Sequence, residues 1–209
     1  MAKNFISNKD ESARMFRNGF LESLSKVHFT VPLFIYVPLI GFLLFEALFS
    51  LRIAVPSIAA CFLLGIACWT FVEYVLHRFL FHYQPPGKIG ERIHFIFHGV
   101  HHDYPNDSKR LVLPPSVSVP LALLFYKIFQ LVLGKIMVFP LFAGFVTGYL
   151  FYDITHYALH HFNFKSPFWL KLKHHHMLHH YQESTKGYGV SSAFWDKVFF
   201  TTFTRKKNG

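Results

Sequence analysis

Charge is scarce in this chain. Only 15% of its 209 residues are Asp, Glu, Lys or Arg, against about a quarter in a soluble domain, which excludes an ordinary water-soluble core of this size. Acids are scarcer still, 11 against 21 Lys and Arg. The net charge of +10 invites a nucleic-acid reading, but the basic residues are scattered beside apolar runs and form no stripe. No nucleic-acid partner is expected; a membrane surface suits the charge better. Cysteine is nearly absent. Cys61 and Cys68 both lie in an apolar run, without CxxC or zinc-type spacing, so neither a disulfide framework nor a cysteine-built metal site is expected. Nor is a secretory signal expected, because Met1 to Lys26 is polar and mixed in charge.

What is present is grease and histidine. The chain is 52% hydrophobic, with 27 Phe and 15 His. Apolar stretches at about 27–49, 53–76, 116–133 and 136–155 are each near the ~20 residues that a helix needs to cross a bilayer. They pair into two hairpins turning at Ser50-Leu-Arg52 and Gly134-Lys135. Between and after them lie polar, histidine-bearing segments, 77–115 and 156–209. The expected fold is therefore an all-α integral membrane protein. It has four transmembrane helices in two hairpins and a cytosolic helical cap holding a histidine-rich di-metal site. Residues 1–26 read as a cytosolic amphipathic lead-in, with Phe5, Phe16, Phe20, Leu21 and Leu24 as contacts to lipid or protein, and residues 27–209 as one domain. The N-terminal segment and the two histidine segments carry 5, 5 and 8 of the Lys and Arg residues, while the opposite turns hold only Arg52 and Lys135. The positive-inside rule then puts the histidines on the cytosolic face.

The histidines are grouped. In order they read His77-x4-His82, His98-x2-His101-His102, His156-x3-His160-His161 and His176-x2-His179-His180. Residues three or four apart share a helical face, so each HxxHH triplet aims imidazoles in one direction. His77 and His82 do not fit a regular helix: five residues leave them about 140° apart. Either the helix unwinds before Pro85 or the two rings address different ions. Ten imidazoles exceed the needs of one ion and fit two, at about five each. Imidazole suits iron, zinc, copper and nickel, so ligand type does not name the metal. His174 and His175 are placed outside the site, and His28 is read as an interfacial residue. His94 and His161 are further candidates. Glu73 and Asp153, one turn before His77 and His156, are candidates to accept the second ring N–H of those histidines. Phe71 to His77 also resembles Phe151 to His156, a faint repeat in which each unit would supply half of a site.

These residues resemble the fatty acid hydroxylase and sterol desaturase superfamily of membrane di-metal oxygenases. The likeness is greatest to fatty acid 2-hydroxylases, which act on sphingolipid acyl chains. It is carried by Glu73-Tyr-Val-Leu-His-Arg-Phe-Leu-Phe-His82, His94 to His102, Arg110-Leu-Val-Leu-Pro-Pro115, Tyr152 to His161, Gly187-Tyr-Gly-Val190 and Trp195-Asp196. The resemblance implies ten ligands: His77, His82, His98, His101, His102, His156, His160, His176, His179 and His180. It implies two divalent ions, iron for catalysis with zinc able to occupy the same positions, and hydroxylation at the acyl C2 carbon with O2 and two electrons. The haem-binding His-Pro-Gly-Gly segment of some family members is not found in this sequence. A separate cytochrome b5-like or ferredoxin-like donor is therefore expected, in a bacterial inner membrane or endoplasmic reticulum. Tyr157, Tyr181 and Tyr188 are candidate headgroup contacts. The alternatives are a sterol or carotenoid hydroxylase or desaturase of the same superfamily, and a non-catalytic membrane metal-binding protein.

Overall fold

Apolar helices long enough to cross a bilayer dominate the architecture. The computed structural model describes residues 5–203, and among these the chain is helical and has no strand. A short helix, α1 (Gly19–Leu24), begins where Asn18 Oδ1 accepts the N–H groups of Phe20 and Leu21 at 2.9 and 3.2 Å, donors that a first turn leaves open. α2 (Val31–Phe45) runs on into a π-helical turn, Glu46–Ser50. Its start falls four residues later than the apolar run suggests, because the Val31 N–H closes a turn onto the His28 carbonyl at 2.9 Å. α3 (Val55–Val75) starts with a proline in its first turn and continues into a second π-helical turn, Leu76–Phe81.

α6 (Pro115–His161) counts 47 residues. A straight helix of that length would reach about 70 Å, more than twice the ~30 Å core of a bilayer. It is not straight. Gly134 sits at φ 79° and ψ 177°, a conformation open essentially only to glycine, and the chain folds back there. Phe125 and Phe145 lie 4.9 Å apart and Tyr126 and Phe142 5.2 Å apart, centroid to centroid. A straight helix would separate the first pair by about 30 Å. The helix is thus a hairpin of two arms, 115–133 and 135–161, turning at the glycine that the sequence marks. The second arm runs six residues past the expected end at 155, carrying His156 and His160 on helical backbone.

Among the described residues, three helical stretches are long and apolar enough to cross a membrane: Val31–Ser50, Val55–Phe81 and the hairpin Pro115–His161. Their outward faces stay greasy: Phe34, Leu63 and Leu131 are 79%, 64% and 86% exposed. Lipid tails offer no hydrophobic drive for helix association, so close packing must hold the helices together. Glycine permits it. A Cβ on Gly144 would overlap the Phe62 carbonyl, one on Gly65 the Leu141 carbonyl, and one on Gly148 the Trp69 side chain. Trp69 fills the adjoining core edge-on to Phe145 and Tyr149, at 5.2 Å from each. Tyr36 donates its hydroxyl to Ser118 Oγ at 2.8 Å, tying α2 to the first arm of α6.

At one end of the helices sits a cap. It contains α4 (Gly87–His94), a third π-helical turn (Phe95–Gly99), α5 (Val100–Asp103), α7 (Pro167–Tyr181) and α8 (Phe194–Val198). The N-terminal segment packs on it through Arg110, which donates to Glu22 Oε1 (2.7 Å), the Ala13 carbonyl (2.8 Å) and Ser25 Oγ (2.7 Å).

Candidate metal centre

Ten histidines from four places in the chain converge in the cap as two sets of five. One set is His77, His82, His98, His102 and His179; the other is His101, His156, His160, His176 and His180. The tail folds back over residues 77–102, as His82 Nε2 and His179 Nε2 lie 3.0 Å apart. His94, His161, His174 and His175 lie in neither set. His94 Nε2 faces Gln84 at 3.4 Å, His161 stacks on Tyr157, and His175 Nε2 donates to Asp196 at 3.1 Å.

The His77–His82 spacing is resolved by the π-helical turn. Its hydrogen bonds run from residue i to i+5, as in His82 N–H to the His77 carbonyl at 3.2 Å. Widening the helix brings the fifth residue back to the first one's face. The helix neither unwinds nor sends the two rings to different sets. Each HxxHH triplet is instead split. His98 and His102, four apart, join one set while His101 joins the other; His176 and His180 join the second set while His179 crosses to the first. Each half of the chain therefore supplies five of the ten rings, four to one set and one to the other.

The spacing of the ring nitrogens fits metal ions. Nε2 to Nε2 distances are 3.0 Å for His77–His98, 3.3 Å for His77–His82, 3.0 Å for His101–His156, 2.9 Å for His160–His176 and 3.1 Å for His176–His180. Ligands at about 2.1 Å from an ion and at right angles lie about 3.0 Å from each other. Three rings have Nδ1–H already committed to a carbonyl: His77 donates to Tyr188 at 2.5 Å, His156 to Leu111 at 3.1 Å and His179 to Lys186 at 2.6 Å. In these three rings Nε2 is thereby left with its lone pair turned toward the neighbouring imidazoles. His102 Nε2 is buried without a hydrogen-bond partner among the described residues. Burial first, and neighbouring rings next, hold His98, His101, His102, His176, His179 and His180 well below the usual histidine range, and push His82 down to about 2. The rings are neutral at physiological pH, the form a metal requires.

Glu73 and Asp153 do not touch the imidazoles that follow them. Glu73 accepts the N–H groups of Val190 and Ser191 at 2.8 and 2.9 Å and the Ser191 hydroxyl. Asp153 accepts the Leu113 N–H at 3.1 Å and the Tyr149 hydroxyl at 3.0 Å. In both cases the acid grips the backbone two residues beyond the carbonyl that holds the histidine, Tyr188 or Leu111. Asp196, fully buried, completes the first arrangement by accepting the N–H groups of Tyr188 and Gly189, both at 2.9 Å. Local spacing cannot reveal these partners, since they lie far along the chain; Trp195-Asp196 stood in the sequence as a motif without a role. The three tyrosines named as candidate headgroup contacts sit in different surroundings. Tyr188 is buried with its ring 5.4 to 5.7 Å from His77, His82 and His179. Tyr181 donates to Asn8 Oδ1, and Tyr157 stacks on Phe29.

A cavity of about 310 Å³ reaches His98, His101 and His156, so it touches both sets. Its walls are mostly apolar, from Trp69, Phe81, Val112, Leu121, Val146 and others. Phe125 and Phe145 stand at the far end from the histidines, about 16 Å from His156 along the second arm of α6. At the surface the cavity is bordered by half-exposed Leu21, Leu24 and Phe97.

Fold and site together define a class, that of all-helical membrane proteins whose histidines are set to hold a pair of metal ions. Within it, the chain belongs to the fatty acid hydroxylase family, whose model matches residues 62–201. It is 38% identical to a dihydroceramide fatty acyl 2-hydroxylase of Arabidopsis thaliana, over 91% of this chain and 80% of that protein. It is 40% identical to the ceramide very long chain fatty acid hydroxylase of Schizosaccharomyces pombe, over 91% of this chain and 55% of that one. The human fatty acid 2-hydroxylase is 37% identical over 92% of this chain and 57% of its own length. Among solved structures, full-length scs7p with only its hydroxylase domain visible superposes with a TM-score of 0.83 at 39% identity, covering 89% of this chain and 70% of that one.

Proposed function

We propose that this chain is a membrane monooxygenase that hydroxylates the C2 carbon of fatty acyl chains, in sphingolipids or as free acids. The observation that carries the reading is the apolar cavity ending at both sets of five imidazoles. Relatives of 37 to 40% identity named as fatty acyl, fatty acid or ceramide hydroxylases support it. The overall reaction consumes one C–H bond, O2, two electrons and two protons, and yields the 2-hydroxy chain and water.

His77, His82, His98, His102 and His179 would hold one ion, and His101, His156, His160, His176 and His180 the other. Bound there, redox-active ions such as iron would activate O2, the oxidant of the C–H bond, chemistry that zinc lacks. The protein does the rest. Val112, Leu121 and Val146 strip water from the acyl tail, and Phe125 and Phe145 limit how far it enters. The carbonyls of Tyr188, Leu111 and Lys186 fix ring orientation by taking the Nδ1 protons, which leaves Nε2 free for the ion.

The two arms of α6 each cross the bilayer in this reading, making four spans with α2 and α3, and residues 27–209 form the hydroxylase domain. The excess of Lys and Arg at the cap end supports a cytosolic site, in the endoplasmic reticulum or a bacterial inner membrane. Electrons arrive from a separate cytochrome b5-like or ferredoxin-like donor. The test is lipid analysis of a host with and without the chain. Acyl chains heavier by one oxygen, placed at C2 by fragmentation, are expected; oxygen only on sterols or carotenoids, or on nothing when donor and iron are supplied, defeats the reading.

A further inference from the structure

Helix α4 turns its greasy side outward. Ile89 and Ile93, one helical turn apart, are 78% and 44% exposed, while Lys88 and Arg92 form the strip beside them. On another side of the helix Gly90 is buried, so close to the Pro85 carbonyl that a Cβ would overlap it, and Glu91, opposite the isoleucines, is exposed. An eight-residue helix with isoleucines out and basic residues alongside has the make-up of an interfacial membrane helix. Its position agrees. It starts six residues after the span Val55–Phe81 ends, a short link from an apolar helix. The N-terminal segment lies next to it: Arg92 donates to the Met15 carbonyl and its guanidinium lies 5.9 Å from the Phe16 ring centre. From there α1 presents Phe20, likewise largely exposed.

We infer that α4 and α1 dock on the headgroup–acyl boundary of the phospholipid leaflet. Ile89, Ile93 and Phe20 insert, and Lys88 lies at the level of the phosphates. The mouth bordered by Leu21, Leu24 and Phe97 then opens inside the leaflet just below its polar surface. A chain sliding in from there keeps its carbonyl end at the polar boundary, so the carbon next to the carbonyl is the one held beside His98, His101 and His156. The docking rests on the proposed bilayer crossing of the spans; the choice of carbon rests on the proposed activity.

The test places tryptophan at Ile89 (Ile89→Trp), Ile93 (Ile93→Trp) and, within a span, Leu63 (Leu63→Trp). Each variant of the full chain is reconstituted into phosphatidylcholine vesicles whose acyl chains carry bromine either near the carbonyl end or near the middle, with the emission of the unsubstituted protein subtracted. Docking predicts that the added emission at 89 and 93 is lost mainly to the shallow bromines, and that at 63 mainly to the deep ones. Added emission at 89 and 93 that is equal in brominated and plain vesicles, with Leu63→Trp quenched, overturns the docking alone. Absence of quenching at 63 as well overturns the membrane reading on which it rests.

Discussion

The Nδ1–H of His77 donates to the carbonyl of Tyr188 at 2.5 Å, across 111 residues of sequence. That carbonyl is not free to wander. Four successive N–H groups, from Tyr188 to Ser191, are held by two buried carboxylates, Asp196 and Glu73. The orientation of a ring at the end of a span is thus set by a loop near the end of the chain. Replacing Glu73 with Gln leaves a weaker acceptor for the Val190 and Ser191 N–H groups, and replacing Asp196 with Asn turns an NH2 group toward a backbone N–H that needs an acceptor. Groups that orient histidine ligands are worth about 10–100-fold in metal affinity or activity. Glu73→Gln and Asp196→Asn should each give fewer than two ions per chain by elemental analysis, with activity reduced to match. Two ions and full activity in both variants would remove the loop from the site.

The crossing of the triplets gives a sharper expectation. His101→Ala and His179→Ala each take one ring from a different set, and both should lower bound metal and abolish hydroxylation. His94→Ala and His161→Ala remove rings that lie in neither set and should keep both ions. Loss of metal in the second pair, measured alongside the first, would redraw the boundaries of the site.

Acid should weaken the metal-free protein. His82 and its neighbours in the cap have folded values far below the ~6.5 of an exposed histidine. Above about pH 6.5 neither state takes up protons at these rings. Below it the unfolded chain binds protons that the folded chain refuses, and stability falls with pH, by at most about 1.4 kcal/mol per ring and pH unit. Thermal unfolding of metal-free protein in detergent should shift downward from neutral pH toward pH ~5. A melting temperature constant over that range would contradict neutral buried rings.

Phe125 and Phe145 meet at 4.9 Å across the α6 hairpin and close the cavity. Phe125→Ala should lengthen it and move the hydroxylated products toward longer acyl chains, read as the length distribution in lipid extracts. An unchanged distribution would mean that chain length is selected elsewhere.

Close helix packing makes Gly144 intolerant of even a methyl group. Gly144→Ala drives a Cβ into the Phe62 backbone, and overpacking of this kind costs about 1–3 kcal/mol. Gly41→Ala, in a helix interior with open space around it, should be neutral or stabilising by up to about 1 kcal/mol. Melting temperatures of the two variants in the same detergent decide whether the α3–α6 contact is as tight as described.

Helices, hairpin turns and histidine groups were legible because each is a local pattern. Apolar length marks the spans, Gly134 marks the fold-back, and i, i+3 and i+4 spacing marks the rings that share a face. Three features were not local. The π-helical turn at Leu76–Phe81 leaves no spacing signal beyond the misfit of His77 and His82 with an ordinary helix. The partners of Glu73 and Asp153 are backbone groups about 117 and 40 residues away in sequence, while helical geometry offered nearby rings instead. The division of His98-x2-His101-His102 between two sets depends on where α6 and α7 stand, which no window of the sequence contains. The amphipathic lead-in was likewise visible only as composition: one short helix forms in it, and Arg110 decides how it sits. Positions 1–4 and 204–209 of the expected segments lie outside the described residues.

Helix α7 brings His176 and His180 to one set and His179 to the other. It follows that the tail cannot lift away from one set while leaving the other intact. A hinge opening over half of the site is sterically meaningless here, because any displacement that withdraws His179 also withdraws its neighbours. Opening of α7 is therefore a single cooperative event, and its backbone amides should exchange with solvent together with those of Val100–Asp103, as one unit of local unfolding.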